Sequence, residues 1–218
     1  LYPFVRLTEK MTRRLAGKPT RKGLSRMEFA AMAELGEREG QLAQREAEVL
    51  RNVLELHQTK VSDAMTPRPV VFSLPRDITV EAFFAEHEQV RYSRIPVFSE
   101  ISDELENFVL RSDLLLAQAK GERSARLADF ERPMPVLPQS LSLAQAFNEV
   151  LRVRAHIVQV VDEYGVVAGI LTLEDIIETL LGLEIVDEGD EAEDMQEHAR
   201  RLWRRRASEM GYKPDSSD

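Results

Sequence analysis

The strongest constraint on the fold is an internal repeat. The segment VVFSLPRDITVEAFFAEH (70–87) has a counterpart 63 residues later, PMPVLPQSLSLAQAFNEV (133–150), and the strand-like RIPVF (94–98) has one in IVQVV (157–161). Each copy predicts the order strand, helix, strand, strand, helix. A unit of about 60 residues is too small for a good core of its own, so we expect the two copies to pack together in a mixed α+β fold.

Two helices are predicted before the repeat. Ser25 and Glu28 have the spacing of a capping box, and the first helix is expected to run to about Leu35. Gly36 and Gly40 then indicate a turn. The apolar stripe of the second helix comprises Leu42, Val49, Leu50, Val53 and Leu56. The many glutamates make this an acidic helical hairpin, whose charges favour a solvated face or a docking surface.

Charge is distributed unevenly along the chain. Residues 1–22 carry seven Lys or Arg and one acid, while the whole chain has a net charge of −9. An acidic body disfavours nucleic acid as a partner. The basic head places Phe4, Leu7, Met11 and Leu15 on one helical face, which suits an anionic membrane surface; a frayed basic terminus is the alternative. Elsewhere, no run of 18 uncharged apolar residues occurs, so we expect no membrane span.

Catalytic patterns are missing from the sequence. There is no G-x-S-x-G, no phosphate-binding loop ending in G-K-[ST] and no G-x-G-x-x-G. Cysteine is absent, and the four histidines lack metal-ligand spacing. We therefore expect a protein that is not an enzyme and has no metal site formed by its own side chains.

One strand-to-helix junction carries recognisable chemistry. In GILTLEDIIETLLG (169–182), Thr172 ends an apolar strand and Asp175 follows in the first helical turn. This spacing predicts a helix cap. It also suits a nucleotide, because the carboxylate can accept hydrogen bonds from both ribose hydroxyls and the Thr hydroxyl can add another. The pattern leaves both interpretations open.

The first copy offers complementary groups. AMTPR (64–68) precedes its first strand and contains Thr66, and YSRIPVF (92–98) contains Tyr92 and Arg94. The ring of Tyr92 can stack on a base, and the guanidinium of Arg94 can bind phosphate oxygens. A half-buried strand residue and a surface salt bridge are the plain alternatives for these two side chains. The repeat favours one crevice for both sets of groups.

These motifs carry a family resemblance. The repeat with VSDAMTPR, YSRIPVF, VVDEYG and GILTLEDIIETLLG resembles a tandem pair of cystathionine-β-synthase-type (CBS) domains. The sequences of these motifs are similar to those of the CorC/HlyC–CNNM family of magnesium and cobalt transport proteins. The helical hairpin resembles the acidic helical bundle of that family. The implied divisions are a juxtamembrane segment 1–22, an acidic bundle 23–60, CBS repeats 61–122 and 123–184, and an acidic linker with a C-terminal helix and tail 185–218.

The resemblance implies a function. The chain is expected to be the cytosolic, nucleotide-sensing region of a divalent-cation transporter at the inner or plasma membrane, joined to a transmembrane domain and forming a homodimer through its CBS pair. The expected cofactor is ATP, or another adenine nucleotide, with Mg²⁺ held through the nucleotide. By the resemblance, the nucleotide-binding residues are Thr66, Tyr92, Arg94, Thr172 and Asp175.

The first copy departs from the family pattern. At the position of Thr172 it has Leu110, which lacks a hydroxyl, and Asp113 is expected only to cap its helix. This difference supports the alternative function, a structural dimerisation module of a haemolysin-like membrane protein with a vestigial nucleotide cleft.

Overall fold

A computed structural model describes residues 24–87, 90, 92–99, 105, 107–183, 199, 201, 202 and 204 of the 218-residue chain. The predicted segment 1–22 and nearly all of 185–218 lie outside the described residues. The chain divides into two compact units, residues 1–47 and 48–218. Within the described ranges, no helix has the length and apolar character needed to cross a membrane.

Helix α1 spans Arg26–Arg38 and confirms the predicted cap. The backbone N–H of Ser25 donates to Glu28, and the backbone N–H of Glu28 donates to the Ser25 hydroxyl. The predicted end at Leu35 is wrong, because the helix continues through Gly36 and the turn comes at Gly40, with φ of +71°. A Cβ on Gly36 would lie 3.1 Å from the Leu42 Cδ1 atom, so this glycine leaves room for the returning chain.

Helix α2 spans Gln44–Glu55. Leu42 precedes it and Leu56 follows it, so the predicted stripe extends beyond both ends of the helix. Leu56 is buried, but Leu50 and Val53 remain 46% and 42% exposed. Only part of the predicted apolar stripe is therefore buried in the core.

Both repeats form the predicted order of elements. A short helix α3 (Val61–Ala64) and strand β1 (Thr66–Pro67) come first. The first repeat contains β2 (Leu74–Pro75), α4 (Val80–Glu86), β3 (Arg94–Phe98), β4 (Asn107–Leu110) and α5 (Arg111–Lys120). Strand β5 (Arg132–Pro133) leads to the second repeat, with β6 (Val136–Pro138), α6 (Leu143–Val153), β7 (Ile157–Val161), β8 (Val167–Thr172) and α7 (Leu173–Leu181). Two 3₁₀ turns cover Arg68–Val70 and Leu127–Phe130.

The two sheets exchange their fourth strands. One sheet has the order β2-β3-β4-β5 and the other β1-β8-β7-β6. Strand β1, which precedes the first repeat, pairs antiparallel with β8 of the second, and β5, which precedes the second repeat, pairs with β4 of the first. The AMTPR segment was expected only to precede the first strand, but Thr66 and Pro67 belong to the sheet of the other repeat.

The segment that precedes each repeat is duplicated as well, at an offset that differs from the 63 residues between the repeats themselves. Residues 60–67 correspond to 126–133, where Val61 and Leu127 are both fully buried. The N–H of Val61 donates to the carbonyl of Leu141, and the N–H of Leu127 donates to that of Ile78, which is the equivalent residue of the first copy. The chain thus has an internal pseudo-twofold relation that begins before the first predicted strand.

Each repeat has its own core. Helices and sheet enclose Phe83, Ile95 and Leu114 in the first repeat, and Leu143, Leu171 and Ile176 in the second. A third cluster between the sheets includes Met134, Ile157 and Ile170, with Phe108 packed against it. This packing confirms the expectation that the two small units bury apolar surface together.

Candidate functional site

Thr172 and Asp175 form a reciprocal cap at the start of α7. The backbone N–H of Thr172 donates to Asp175 Oδ2 at 2.6 Å, and the backbone N–H of Asp175 donates to Thr172 Oγ1 at 3.2 Å. Asp175 uses Oδ2 for the backbone hydrogen bond of this cap, so its other carboxylate oxygen can accept from a ligand. Thr172 Oγ1 accepts one hydrogen bond and retains a second lone pair. The cap and a ligand-binding role are therefore compatible.

Asp175 sits in an environment that disfavours its charge. Desolvation is the main cause that raises its pKa, to about 7, against the lowering effect of hydrogen bonds to the carboxylate from the backbone and the side chain of Thr172. The nearby carboxylates of Glu178 and Glu174 raise the pKa further. A group that donates hydrogen bonds to this carboxylate would offset the loss of hydration.

Arg94 links the first repeat to this junction. It begins β3, and its Nη1 atom lies 3.9 Å from Oε1 of Glu174 in the first turn of α7. The Arg94 side chain is 26% exposed, whereas that of Glu174 is 57% exposed. The structure thus brings a guanidinium from one repeat to the capped helix of the other, as the repeat predicted.

Tyr92 lies just before β3 with its ring 5.4 Å from that of Phe72, at an interplanar angle of 27°. Phe72 also makes an edge contact with His87, with ring centroids 5.7 Å apart. Tyr92 remains 48% exposed, so one ring face is supported by Phe72 while part of the ring is open to solvent. This arrangement differs from the alternative of a half-buried strand residue.

Thr66 lies on the same sheet as the junction. Thr66 lies opposite Ile170 in the β1–β8 pair, and Ile170 precedes Thr172 by two residues in β8. The approach is close at Gly169, where a Cβ would lie 2.2 Å from the carbonyl oxygen of Thr66. Glycine at this position is what allows β1 to pair here.

The equivalent junction in the first repeat is built differently. Leu110 is the N-cap of α5 and makes no side-chain cap. Asp113 was expected to cap this helix, which is wrong: its Oδ2 accepts a hydrogen bond from Arg132 Nη2 at 2.8 Å. Arg132 is the counterpart of Thr66 in the pseudo-twofold relation. At the first junction the carboxylate is therefore paired with an arginine, and the N-cap residue offers no hydroxyl.

Three residues were missed in the sequence analysis: Glu174, which contacts Arg94, Phe72, which stacks on Tyr92, and Arg132, which pairs with Asp113. Only the spacing of Lys60–Pro67 against Arg126–Pro133 could have indicated that Arg132 matches Thr66. Within the residues described, no group of three or more His, Cys, Asp or Glu is arranged to hold a metal ion.

The fold and the paired junctions define a tandem CBS-domain protein. The family model described as "CBS domain" matches residues 127–182. A UPF0053 protein of Synechocystis is 32% identical over 97% of this chain and 61% of its own length. The magnesium and cobalt efflux protein CorC of Vibrio cholerae is 34% identical over 67% of this chain and 50% of its own length. The chain thus spans about half the length of these curated relatives.

Solved structures agree with this class. The CBS domain of a bacterial CNNM/CorC family Mg²⁺ transporter, in complex with an inhibitor, is 32% identical, with a TM-score of 0.68 over 75% of this chain and 100% of that one. A CBS domain of the same family in complex with ATP is 33% identical, with a TM-score of 0.59 over 63% of this chain and 98% of that one. The chain belongs to the CNNM/CorC family and contains its CBS-domain region.

Proposed function

We propose that this chain is the nucleotide-sensing region of a divalent-cation transporter and that it binds ATP at the Thr172–Asp175 junction. The observation that carries the proposal is the reciprocal cap at the start of α7, in which the second carboxylate oxygen of Asp175 and a lone pair of Thr172 Oγ1 can still accept hydrogen bonds. The relative solved with ATP supports the choice of ligand, and the relatives named as Mg²⁺ transporters and as a magnesium and cobalt efflux protein support the context.

The groups present fit a ribose. The carboxylate of Asp175 can accept from one ribose hydroxyl through its second oxygen, and Oδ2 retains a lone pair for the other hydroxyl. Thr172 Oγ1 can accept from a ribose hydroxyl through its second lone pair. Two hydroxyl donors would stabilise the carboxylate form of Asp175, whose pKa burial has raised to about 7.

Arg94 and Tyr92 would hold the other parts of the nucleotide. The Arg94 guanidinium can bind phosphate oxygens once it releases Glu174, and the exposed face of Tyr92 can stack on the base while Phe72 supports the ring from behind. Thr66 would contribute its hydroxyl or its backbone from β1. Mg²⁺ bound to the phosphates would reduce the repulsion between the nucleotide and the acidic protein.

We propose one nucleotide per chain. In the first repeat, Leu110 offers no hydroxyl and Asp113 is paired with Arg132. Binding at the second junction would change how the CBS pair packs in a homodimer and so regulate the transmembrane domain of the complete protein. In this proposal the chain works at the cytoplasmic face of the cell membrane, with residues 1–22 against anionic lipid.

Calorimetric titration of the chain with ATP, with and without Mg²⁺, tests the site. Thr172→Val and Asp175→Asn should each weaken binding by about tenfold, which is the loss of one or two hydrogen bonds to a bound ligand. Two matched controls are available. Ser142→Ala removes the same type of cap from α6, and Asp113→Asn alters the equivalent carboxylate of the first repeat.

Both controls should bind ATP as the parent does. If the parent chain binds no ATP with or without Mg²⁺, the proposal fails, and the structural dimerisation module becomes the better explanation. If Asp113→Asn weakens binding and Asp175→Asn does not, the site lies at the first repeat.

A further inference from the structure

Helix α7 has different contacts at its two ends. Its first turn carries Thr172 and Asp175, which cap the helix. At its last turn, the Nδ2 atom of Asn52 donates to the carbonyl oxygen of Leu180 at 3.2 Å. The last carbonyls of a helix have no partner within the helix, so a side chain that binds one of them fixes the position of that end. Asn52 belongs to α2, which precedes both repeats.

The contact between α2 and the end of α7 is tight. Gly182 ends the helix in the left-handed conformation, with φ of +64°. A Cβ on Gly182 would lie 2.8 Å from the Asn52 Nδ2 atom and 3.2 Å from Oε1 of Glu48. No side chain fits between the two elements, so a shift at the end of α7 must be followed by α2 or must break the contact.

Helix α7 is short and well anchored along its length. Its nine residues correspond to about 13 Å of helix rise. Ile176 is fully buried in the second core, and Leu180 packs against the same cluster, which also contains Leu56 at the end of α2. A helix of this length, held in a packed core, moves as one body rather than bending between its ends.

We propose that Asn52 couples the nucleotide site to α2, so that a ligand bound at the first turn of α7 stabilises α2 through the last turn. This inference rests on the proposed function. Asn52 touches no part of the nucleotide and acts only by positioning α7. A ligand that orders the Thr172–Asp175 turn favours one position of α7, and the hydrogen bond to Leu180 makes the same position favourable for residues 48–55 of α2.

Hydrogen exchange of the full chain, measured by mass spectrometry with and without ATP and Mg²⁺, tests the coupling. In the parent, ATP should slow exchange of amides 48–55 by about fivefold or more, at the lower end of ordinary allosteric coupling. In Asn52→Ala and Asn52→Asp, which remove the donor to Leu180, ATP should still bind within about threefold of the parent affinity, while the slowing at 48–55 is lost.

Asn148→Ala is the matched control. The Nδ2 atom of Asn148 donates to the carbonyl of Ala144 at 2.9 Å within α6, so this substitution removes a similar bond that joins no two elements. It should keep the ATP-dependent slowing at 48–55. Each comparison is made between the free and bound states of the same variant, which removes any general loss of stability.

The outcomes separate the two proposals. Failure of the parent to bind ATP in the parallel titration overturns both. ATP binding without slower exchange at 48–55 in the parent, or with equal slowing in the parent and both Asn52 variants, overturns the coupling and leaves the nucleotide site in place.

Discussion

The guanidinium of Arg94 approaches the carboxylate of Glu174 to 3.9 Å, although the first residue belongs to one repeat and the second to the other. This contact spans the place where phosphate is proposed to bind. Glu174 both engages the cation and adds a negative charge beside Asp175, whose pKa it helps to raise. The same carboxylate therefore opposes an anionic ligand in two ways.

Glu174→Gln should strengthen ATP binding by about two- to fivefold, the range expected for one partly exposed charge pair. The substitution frees Arg94 and removes one repulsive charge from the site. Calorimetric titration at low salt measures the effect, which should shrink as ionic strength rises. Glu163→Gln removes the same charge from the turn at the other end of the β7–β8 hairpin and should leave affinity unchanged. Equal gains from both variants would point to net charge alone.

The raised pKa of Asp175 predicts that stability depends on pH. Because burial raises the pKa from 3.8 to about 7, the folded state holds a proton that the unfolded state has lost between these values. The contribution of this group to the free energy of unfolding is therefore largest below pH 3.8, falls as pH rises toward 7 and is constant above it. Denaturant unfolding of the parent and Asp175→Asn between pH 4 and 8 checks this, and the variant should lack that part of the slope.

Nucleotide binding should follow the opposite trend with pH. Ribose hydroxyls donate best to the ionised carboxylate, so the affinity of the parent for ATP should rise between about pH 6 and 8, and binding near pH 7 should release protons from Asp175. Titrations in buffers of different ionisation enthalpy measure the release. Asp175→Asn has no carboxyl group at this position, so the pH dependence of its ATP binding reflects the protonation of ATP itself. If the affinity of the parent depends on pH in the same way as that of the variant, the prediction is contradicted.

Phe72 should contribute to ATP affinity indirectly, because it supports the Tyr92 ring on which the base is proposed to stack. Phe72→Leu removes the ring that stacks behind Tyr92 and should weaken ATP binding by about three- to tenfold, consistent with the energy of one aromatic pair. Phe84→Leu is the comparison, since Phe84 contacts Phe83 in the core of the same repeat. The two variants should lose similar stability by denaturant unfolding, but only Phe72→Leu should lose affinity. Ribose triphosphate, which has no base, should bind both variants and the parent alike.

Gly169→Ala should separate β1 from β8. The added Cβ would meet the backbone oxygen of Thr66 at 2.2 Å, and such overpacking costs about 1–3 kcal/mol. Gly165→Ala serves as the reference: its left-handed φ of +82° costs about 1–2 kcal/mol, but nothing lies within 4 Å of the new atom. Unfolding in denaturant measures both variants. Gly169→Ala should also weaken ATP binding, because Thr66 lies at the proposed site, and Gly165→Ala should not.

Local patterns predicted much of this fold. The alternation of apolar runs and the capping sequences at Ser25 and Thr172 depend on neighbours within a few residues, and they gave the element order and both caps correctly. The small size of each copy also predicted that the two would pack together, which the third cluster between the sheets confirms. Arg94 meets the second-repeat helix because pseudo-symmetric units place their strand ends together.

The rest depended on contacts that local patterns do not contain. Gly36 has a low helix propensity, at a cost of about 1 kcal/mol relative to Ala, yet it lies within α1, where Leu42 leaves little room for a Cβ. Strands β1 and β5 have two residues each, which is too short for a recognisable alternation, and their partners lie in the other repeat. For the same reason the pairing of Arg132 with Asp113 could not be predicted, and Asp113 looked like a cap.

The exchanged strands have a consequence for the origin of this architecture. A polypeptide with a single repeat and its leading strand could not use that strand to complete its own sheet, since β1 and β5 each pair with the other copy. Its open edge would pair with the leading strand of a second molecule, by mutual domain swapping. The present chain holds the same arrangement within one polypeptide, as expected if the gene of such a swapped dimer was duplicated and fused.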